Sequence, residues 1–121
     1  MQTDLEEFCA RAVARFPELI EPFSWADEAG PGLEITKLEN FADVTRTIFK
    51  TGSIERVREH LELVCAALMH SSVELSEALR VGYIDSLFWC LADQERRAIF
   101  AISPQMEDQT RGRWCSTDRV A

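Results

Sequence analysis

Between Ser53 and Leu91 apolar residues recur at spacings of three and four, which places them on one face of a 3.6-residue helix. Ile54, Val57, Leu61, Val64 and Leu68 form a first stripe, widened by Cys65, Ala67 and Met69. Leu75, Leu79, Ile84, Leu87, Phe88 and Leu91 form a second, with Tyr83 and Trp89 beside them. The break at Met69-His70-Ser71-Ser72 is short, so the two helices are expected to be antiparallel neighbours in an αα-hairpin.

The same spacing predicts further helices on either side. Asp4 to Phe16 carries Leu5, Phe8, Cys9, Ala12, Val13 and Phe16 on one face, and Pro17 closes it or opens a short turn through Leu19. Residues 21–34 hold Pro22, Gly30, Pro31 and Gly32 and are expected to be the longest loop. Thr36 to Thr51 follows as a helix with the capping box Thr36-Lys37-Leu38-Glu39. Its buried side is Leu38, Phe41, Ala42, Thr45, Ile48 and Phe49, and Gly52 stops it in a C-cap position. Ser53 then caps the next helix, and Ser71-Ser72-Val73-Glu74 offers a second capping box. Gly82 falls inside the fourth main helix, where it allows close approach of a neighbour or marks a kink. Asp93 caps a short helix over Gln94 to Ile102, with Ile99, Phe100 and Ile102 apolar, and Pro104 ends it.

From Ser103 the periodicity disappears. Residues 1–102 are expected to be a single helical domain, and 103–121 a polar, loosely ordered tail. Only residues 32–36 read as strand-like, so the fold class is all-α with no sheet. The form expected is a compact bundle of four main helices plus one or two short ones. Stacked helix pairs, as in armadillo or HEAT units, are the variant, although no internal repeat is convincing.

Composition narrows the class. Apolar residues at 46% and charged residues at 28% describe an ordinary globular chain of 121 residues, long enough for a core without staples. No apolar run reaches the length of a membrane span, and Met1 to Glu7 has neither a basic start nor an apolar stretch, so a cytoplasmic protein is expected.

Charge is more telling. The net charge is -8, with 13 Lys and Arg against 21 Asp and Glu. Eight of the acids (Asp4, Glu6, Glu7, Glu18, Glu21, Asp27, Glu28 and Glu34) fall within residues 1–34, against only Arg11 and Arg15. Such a surface repels phosphates and attracts a basic protein. The plain alternative is that acidity keeps the protein soluble.

Candidate chemistry is sparse. Cys9, Cys65, Cys90 and Cys115 form no C-x-x-C pair; Cys65 and Cys90 lie near apolar stripes, where buried structural thiols are expected, and no disulfide is expected. His60 and His70 belong to no H-E-x-x-H or Glu-x-x-His pattern, and neither is expected to hold a metal or do chemistry. Glu55, Glu59 and Glu62 with Arg56 and Arg58 read as a solvated helix face. Asp85 lies close to a buried stripe, either paired with Arg80 or Arg46 or exposed for a partner. Phe23 and Trp25 in the acidic 21–34 segment have two readings, a plug folded onto the core or anchors of a binding loop. No nucleophile elbow, phosphate loop or triad is present, and no enzyme activity or cofactor is expected.

One further likeness rests on Phe16-Pro17-Glu18-Leu19, the acidic segment with Trp25, the Gly52-Ser53 junction and the run from Val73 to Leu87. The order of these segments over residues 5–102 resembles small, acidic, all-helical bacterial proteins, several of which look like immunity proteins of polymorphic-toxin or contact-dependent inhibition systems. The resemblance implies an immunity protein that occludes a cognate, basic toxin, such as a nuclease. The interface would include Glu18, Glu21, Asp27, Glu28 and Glu34 with Trp25 as anchor, and Asp85, which stands where the group carries an acid. The alternative is a helical adaptor or regulator that binds an endogenous protein. Neither reading involves nucleic acid or membrane as a direct partner.

Overall fold

The structure is a computed structural model that describes residues 4–29, 34–70, 72–89 and 91–110. It is all-α, with no strand among the described residues. The helices are α1 (Asp4–Arg15), α2 (Ile20–Ala29), α3 (Glu34–Thr51), α4 (Ile54–His70), α5 (Val73–Ala78), α6 (Asp85–Trp89), α7 (Asp93–Ile102) and α8 (Pro104–Thr110). A 3₁₀ turn, Pro17–Leu19, joins α1 to α2, and a π-helical turn, Leu79–Ile84, joins α5 to α6 without a break.

Helix α3 is the hub. It packs against α1, α2, α4, the π turn and α6. That is the pattern of a compact bundle, because in stacked helix pairs each unit meets only its sequence neighbours. The apolar stripes supply the contact surfaces. Phe8, Ala12 and Phe16 of the first segment, Leu38, Phe41 and Ala42 of α3, and Val57, Leu61 and Val64 of α4 are fully buried. Burying a side chain such as Phe41 or Leu61 contributes roughly 1.5–3 kcal/mol, so these faces fix which side of each helix turns inward.

Helix ends follow local rules. Gly52 has φ +92° after the last residue of α3. Its N–H donates to the Phe49 carbonyl (3.1 Å) and that of Ser53 to Ile48 (3.3 Å), the paired bonds of a Schellman ending. The Ser72 hydroxyl caps α5 by accepting the Leu75 N–H at 3.2 Å. The cap therefore sits one residue later than the Ser71–Glu74 box predicts, and Ser71 itself lies outside the described residues. The Thr36–Glu39 box is likewise not a cap, since α3 is already helical from Glu34. Asp93 is the first residue of α7 rather than its cap, and the Glu95 carboxylate accepts the Ala92 N–H at 2.9 Å.

Three expectations need correction. Residues 21–29 are helix, not loop. Pro22 is the third residue of α2, in a first turn that needs no amide hydrogen, so it does not break the helix. Pro104 does not only end α7; it opens α8, where the missing N–H again costs nothing. The Ser103 hydroxyl caps this helix by accepting the Met106 N–H at 3.3 Å, and Met106 and Thr110 are buried. The packed domain thus extends through Thr110, and only 111–121 of the expected tail lies outside the described residues. Third, the α4 helix and the Val73–Trp89 helix meet at their shared turn through α5, but the second then runs along α3 rather than back along α4.

Gly82 explains that choice. The π turn, marked by the Asp85 N–H donating to the Arg80 carbonyl five residues back, inserts one residue into the stripe. It carries the buried positions from Leu79 to Tyr83 and Ile84. A Cβ on Gly82 would lie 2.9 Å from Leu38 Cβ and 3.4 Å from the Ile35 carbonyl oxygen. Only glycine lets the π turn sit this close to α3. Ile54 (40% exposed), Met69 (57% exposed) and Trp89 (82% exposed) do not join their stripes.

Gly82→Ala is therefore expected to destabilise the fold by about 1–3 kcal/mol, although alanine is normally the better helix residue by about 1 kcal/mol. A denaturation midpoint that rises with this substitution would contradict the close approach.

Candidate functional site

Polar groups converge inside the core and again at the surface. Inside, His60 of α4 is fully buried. Phe16 and Phe41 meet its ring edge-on, with centroids at 4.4 and 5.1 Å. Its Nε2 lies 2.8 Å from Glu18 Oε2 and its Nδ1 lies 2.9 Å from Thr45 Oγ1, which is 2.8 Å from the Tyr83 hydroxyl. Four elements are tied by this chain: the 3₁₀ turn, α3, α4 and the π turn.

Donor and acceptor roles follow from the ends. An ionised Glu18 only accepts, so Nε2 carries a hydrogen. Burial pulls the imidazole below its ordinary value, and the Glu18 carboxylate offsets this only in part. The ring is therefore neutral near pH 7, and its Nδ1 accepts from the Thr45 hydroxyl. The Tyr83 hydroxyl then donates to Thr45. Every bond points the same way, from Tyr83 through Thr45 and His60 to Glu18. Burial alone would raise the Glu18 carboxyl, but His60, a backbone N–H and Arg56 outweigh it and hold it below the usual range. Arg56 binds Glu18 through Nε at 2.8 Å and Glu59 at 3.1 Å, over the Phe16 ring.

At the surface, α1 and α2 each rest on α3 more closely than on each other. The gap between them is an open groove of about 510 Å³. Its apolar floor and walls are Cys9, Ala10, Val13, Ile20 and Phe23. Glu6, Asp27 and Glu34 stand around it, with Lys37 as the one cation among the described lining residues. Lys37 Nζ lies 2.7 Å from Asp27 and over the Phe23 ring. Burial would lower this ammonium, but the pairing with Asp27 outweighs it and raises it. Burial pushes the Cys9 thiol up to about 12, so it is an apolar wall and not a nucleophile.

The residues singled out from the sequence separate into groups. Asp27 and Glu34 line the groove. Glu21, Trp25 and Glu28 are exposed, and Trp25, 62% exposed, does not line it. Helical spacing puts these three on the outer side of α2. Phe23 and Trp25 thus divide the two readings between them: Phe23 is in the core and Trp25 is at the surface. Glu18 is one-quarter exposed and engaged with His60 and Arg56. Asp85 is half-buried where the π turn meets α6, away from the groove. Arg80 bonds the Gln109 carbonyl at 2.9 Å, and Arg46 bonds the Ser86 carbonyl and Asp43. Cys65 is buried and Cys90 lies outside the described residues.

The expectation that Arg56 belongs to a solvated face is corrected by its bonds to Glu18, while Glu59, 44% exposed, pairs with Arg56 at the surface. The role of His60 was not visible as chemistry, but its position was. It falls three residues after Val57 and four before Val64, inside the apolar stripe of α4. A polar residue at such a position signals a buried partner network. Among the described residues no group of three or more His, Cys, Asp or Glu could hold a metal ion, and no helix is long and apolar enough to cross a membrane.

The chain belongs to a family described as a domain of unknown function, DUF7674, whose sequence model matches residues 9–116. No curated protein and no solved structure matches the chain.

The polar chain makes stability depend on pH in a defined direction. The folded His60 titrates below its ordinary 6.5, so the unfolded chain takes up the proton first as pH falls. This contribution is full above about 6.5 and is lost as pH falls below it. The folded Glu18 titrates below its ordinary 4.5, so its contribution is also full at higher pH and lost on further acidification. The unfolding free energy is therefore expected to fall from about pH 6.5 downward. His60→Gln is expected to be less stable at neutral pH and to flatten the slope above about pH 5. A variant that keeps the wild-type slope in a denaturant titration would assign that slope to another group.

Proposed function

We propose that this chain is a cytoplasmic protein-binding domain whose partner is a basic protein; on the immunity reading, that partner is a cognate toxin whose substrate groove it covers. The observation that supports this is where charge lies relative to shape. An open groove of mixed polarity, apolar at Ala10, Val13 and Ile20, is rimmed by Glu6, Asp27 and Glu34, and Glu21 and Glu28 stand exposed on the same short helix as Asp27. Such a surface steers cationic partners inward and turns phosphates away. Trp25 and Ile20, 62% and 56% exposed, add the apolar anchor area that association draws on.

An enzyme has less support. The converging polar groups, Glu18, His60, Thr45 and Tyr83, are bonded to one another, three of them fully buried and Glu18 covered by Arg56, and they do not line the groove. Their geometry locks four elements together.

Co-expression with the product of the adjacent gene tests the reading. A stable complex is expected, with affinity falling at least tenfold between about 0.05 and 0.5 M salt. Equal affinity at both would rule out electrostatic steering. Trp25→Ala is expected to weaken the complex by more than about 1 kcal/mol without moving the thermal midpoint. A lowered midpoint with unchanged affinity would assign Trp25 to the fold instead.

A further inference from the structure

The groove between α1 and α2 has a definite size, polarity and chemistry, and together they specify its occupant. We propose that it receives one amphipathic, basic α-helix of the protein partner, of about three turns. This rests on the protein-binding reading and goes beyond it by naming the element that docks and where.

Length comes first. The shorter wall, α2, has 10 residues, so at about 1.5 Å per residue the groove runs about 15 Å. A helix of that length presents apolar side chains at i, i+3 or i+4, and i+7 along one stripe. The shape fits too. Two helices that lie on a third and barely touch each other leave a seat in which another helix completes the layer. No strand is present among the described residues, so no sheet edge is offered there for an extended peptide.

Chemistry then sets the sign. The seat is apolar along Ala10, Val13 and Ile20, which matches the apolar stripe of an amphipathic helix. Glu6 on one wall and Asp27 on the other place a carboxylate on either side of that stripe. Lysine or arginine flanking the stripe would meet them, whereas an acidic helix would face like charges on both walls. Lys37 already shows that Asp27 binds an ammonium at 2.7 Å in this seat. A cation of the partner would take the outer side of the same carboxylate, which remains 66% exposed.

The test uses the full-length protein and a fluorescent synthetic peptide of about 18 residues, with leucines at the stripe positions and lysines flanking them. Two control peptides keep the length: one has the same composition scrambled to destroy the stripe, the other has glutamate for each lysine. Ala10→Arg and Ser24→Arg block the seat from opposite walls at exposed positions that leave the core untouched. Glu77→Gln makes the same unit change of charge at an exposed position of α5, away from the seat. The amphipathic basic peptide is expected to bind at least tenfold more tightly than either control. Each wall variant is expected to weaken it at least tenfold, and Glu77→Gln less than twofold.

Equal binding of the scrambled peptide, or equal losses for Glu77→Gln and the wall variants, would overturn the proposal in favour of diffuse charge attraction. So would wall variants that bind as wild type. A wild-type homodimer in light scattering that Ala10→Arg dissociates would make a second copy the occupant and would also overturn it. The two readings fail separately. If the adjacent-gene partner binds the Ala10→Arg protein undiminished, the groove inference falls while protein binding stands. If no basic protein binds the chain but the peptide pattern holds, the broader reading falls and the groove's preference remains.

Discussion

A buried imidazole is costly when either nitrogen lacks a partner, and His60 has no contact with water to supply one. The fold meets this demand from three directions. Glu18 arrives from the 3₁₀ turn, Thr45 from α3, and Tyr83 reaches Thr45 from the π turn. None of these residues is close to His60 in sequence, the nearest lying 15 positions away. Because each bond constrains a different element, the chain of four side chains specifies how the helices register. Apolar packing by itself tolerates sliding of one stripe along another, whereas a hydrogen bond of 2.8 Å does not.

The same demand shapes the backbone around it. Tyr83 reaches Thr45 because the π turn shifts the stripe by one residue and because Gly82 lets that turn lie against Leu38. Phe41 serves twice, packing on the His60 ring and on Tyr83, at 5.1 and 4.7 Å. Arg56 closes the surface end. With the His60 and backbone hydrogen bonds it outweighs burial and keeps the Glu18 carboxylate ionised, and an ionised carboxylate is the acceptor that fixes the hydrogen on Nε2. If the ring took up a proton, Nδ1 would donate to Thr45 Oγ1, and the Thr45 hydroxyl would turn to the Phe41 carbonyl 3.0 Å away. The bonds can rearrange, so what disfavours the charged ring is burial.

The acids of the first 34 residues consequently do two kinds of work. Glu18 is drawn inward to close the polar chain, while Glu6, Asp27 and Glu34 border a groove. That groove exists because the 3₁₀ turn at Pro17–Leu19 lets α1 and α2 part company and settle separately on α3. Groove and core network are thus joined through one short turn. Glu18 sits in its middle, with Leu19 buried beside it.

Periodicity by itself determined that the chain is helical, where the four main helices run and which residues of α1, α3 and α4 turn inward. These are local properties, since a side chain's place on a helix depends only on its spacing from its neighbours. The Gly52 ending was legible for the same reason, as its left-handed backbone is a property of one residue. The acidity of the first third was legible as well, but not its division between core and groove. Proline misled at Pro22 and Pro104, because the residue type is compatible with both a break and a first helical turn. Only the tertiary structure decided that Glu18 meets His60, that the Val73–Trp89 helix lies along α3, and that Trp25 faces outward while Phe23 faces inward. Each depends on distances between segments far apart in the chain. Spacing along one helix carries no information about which other helix will lie against it.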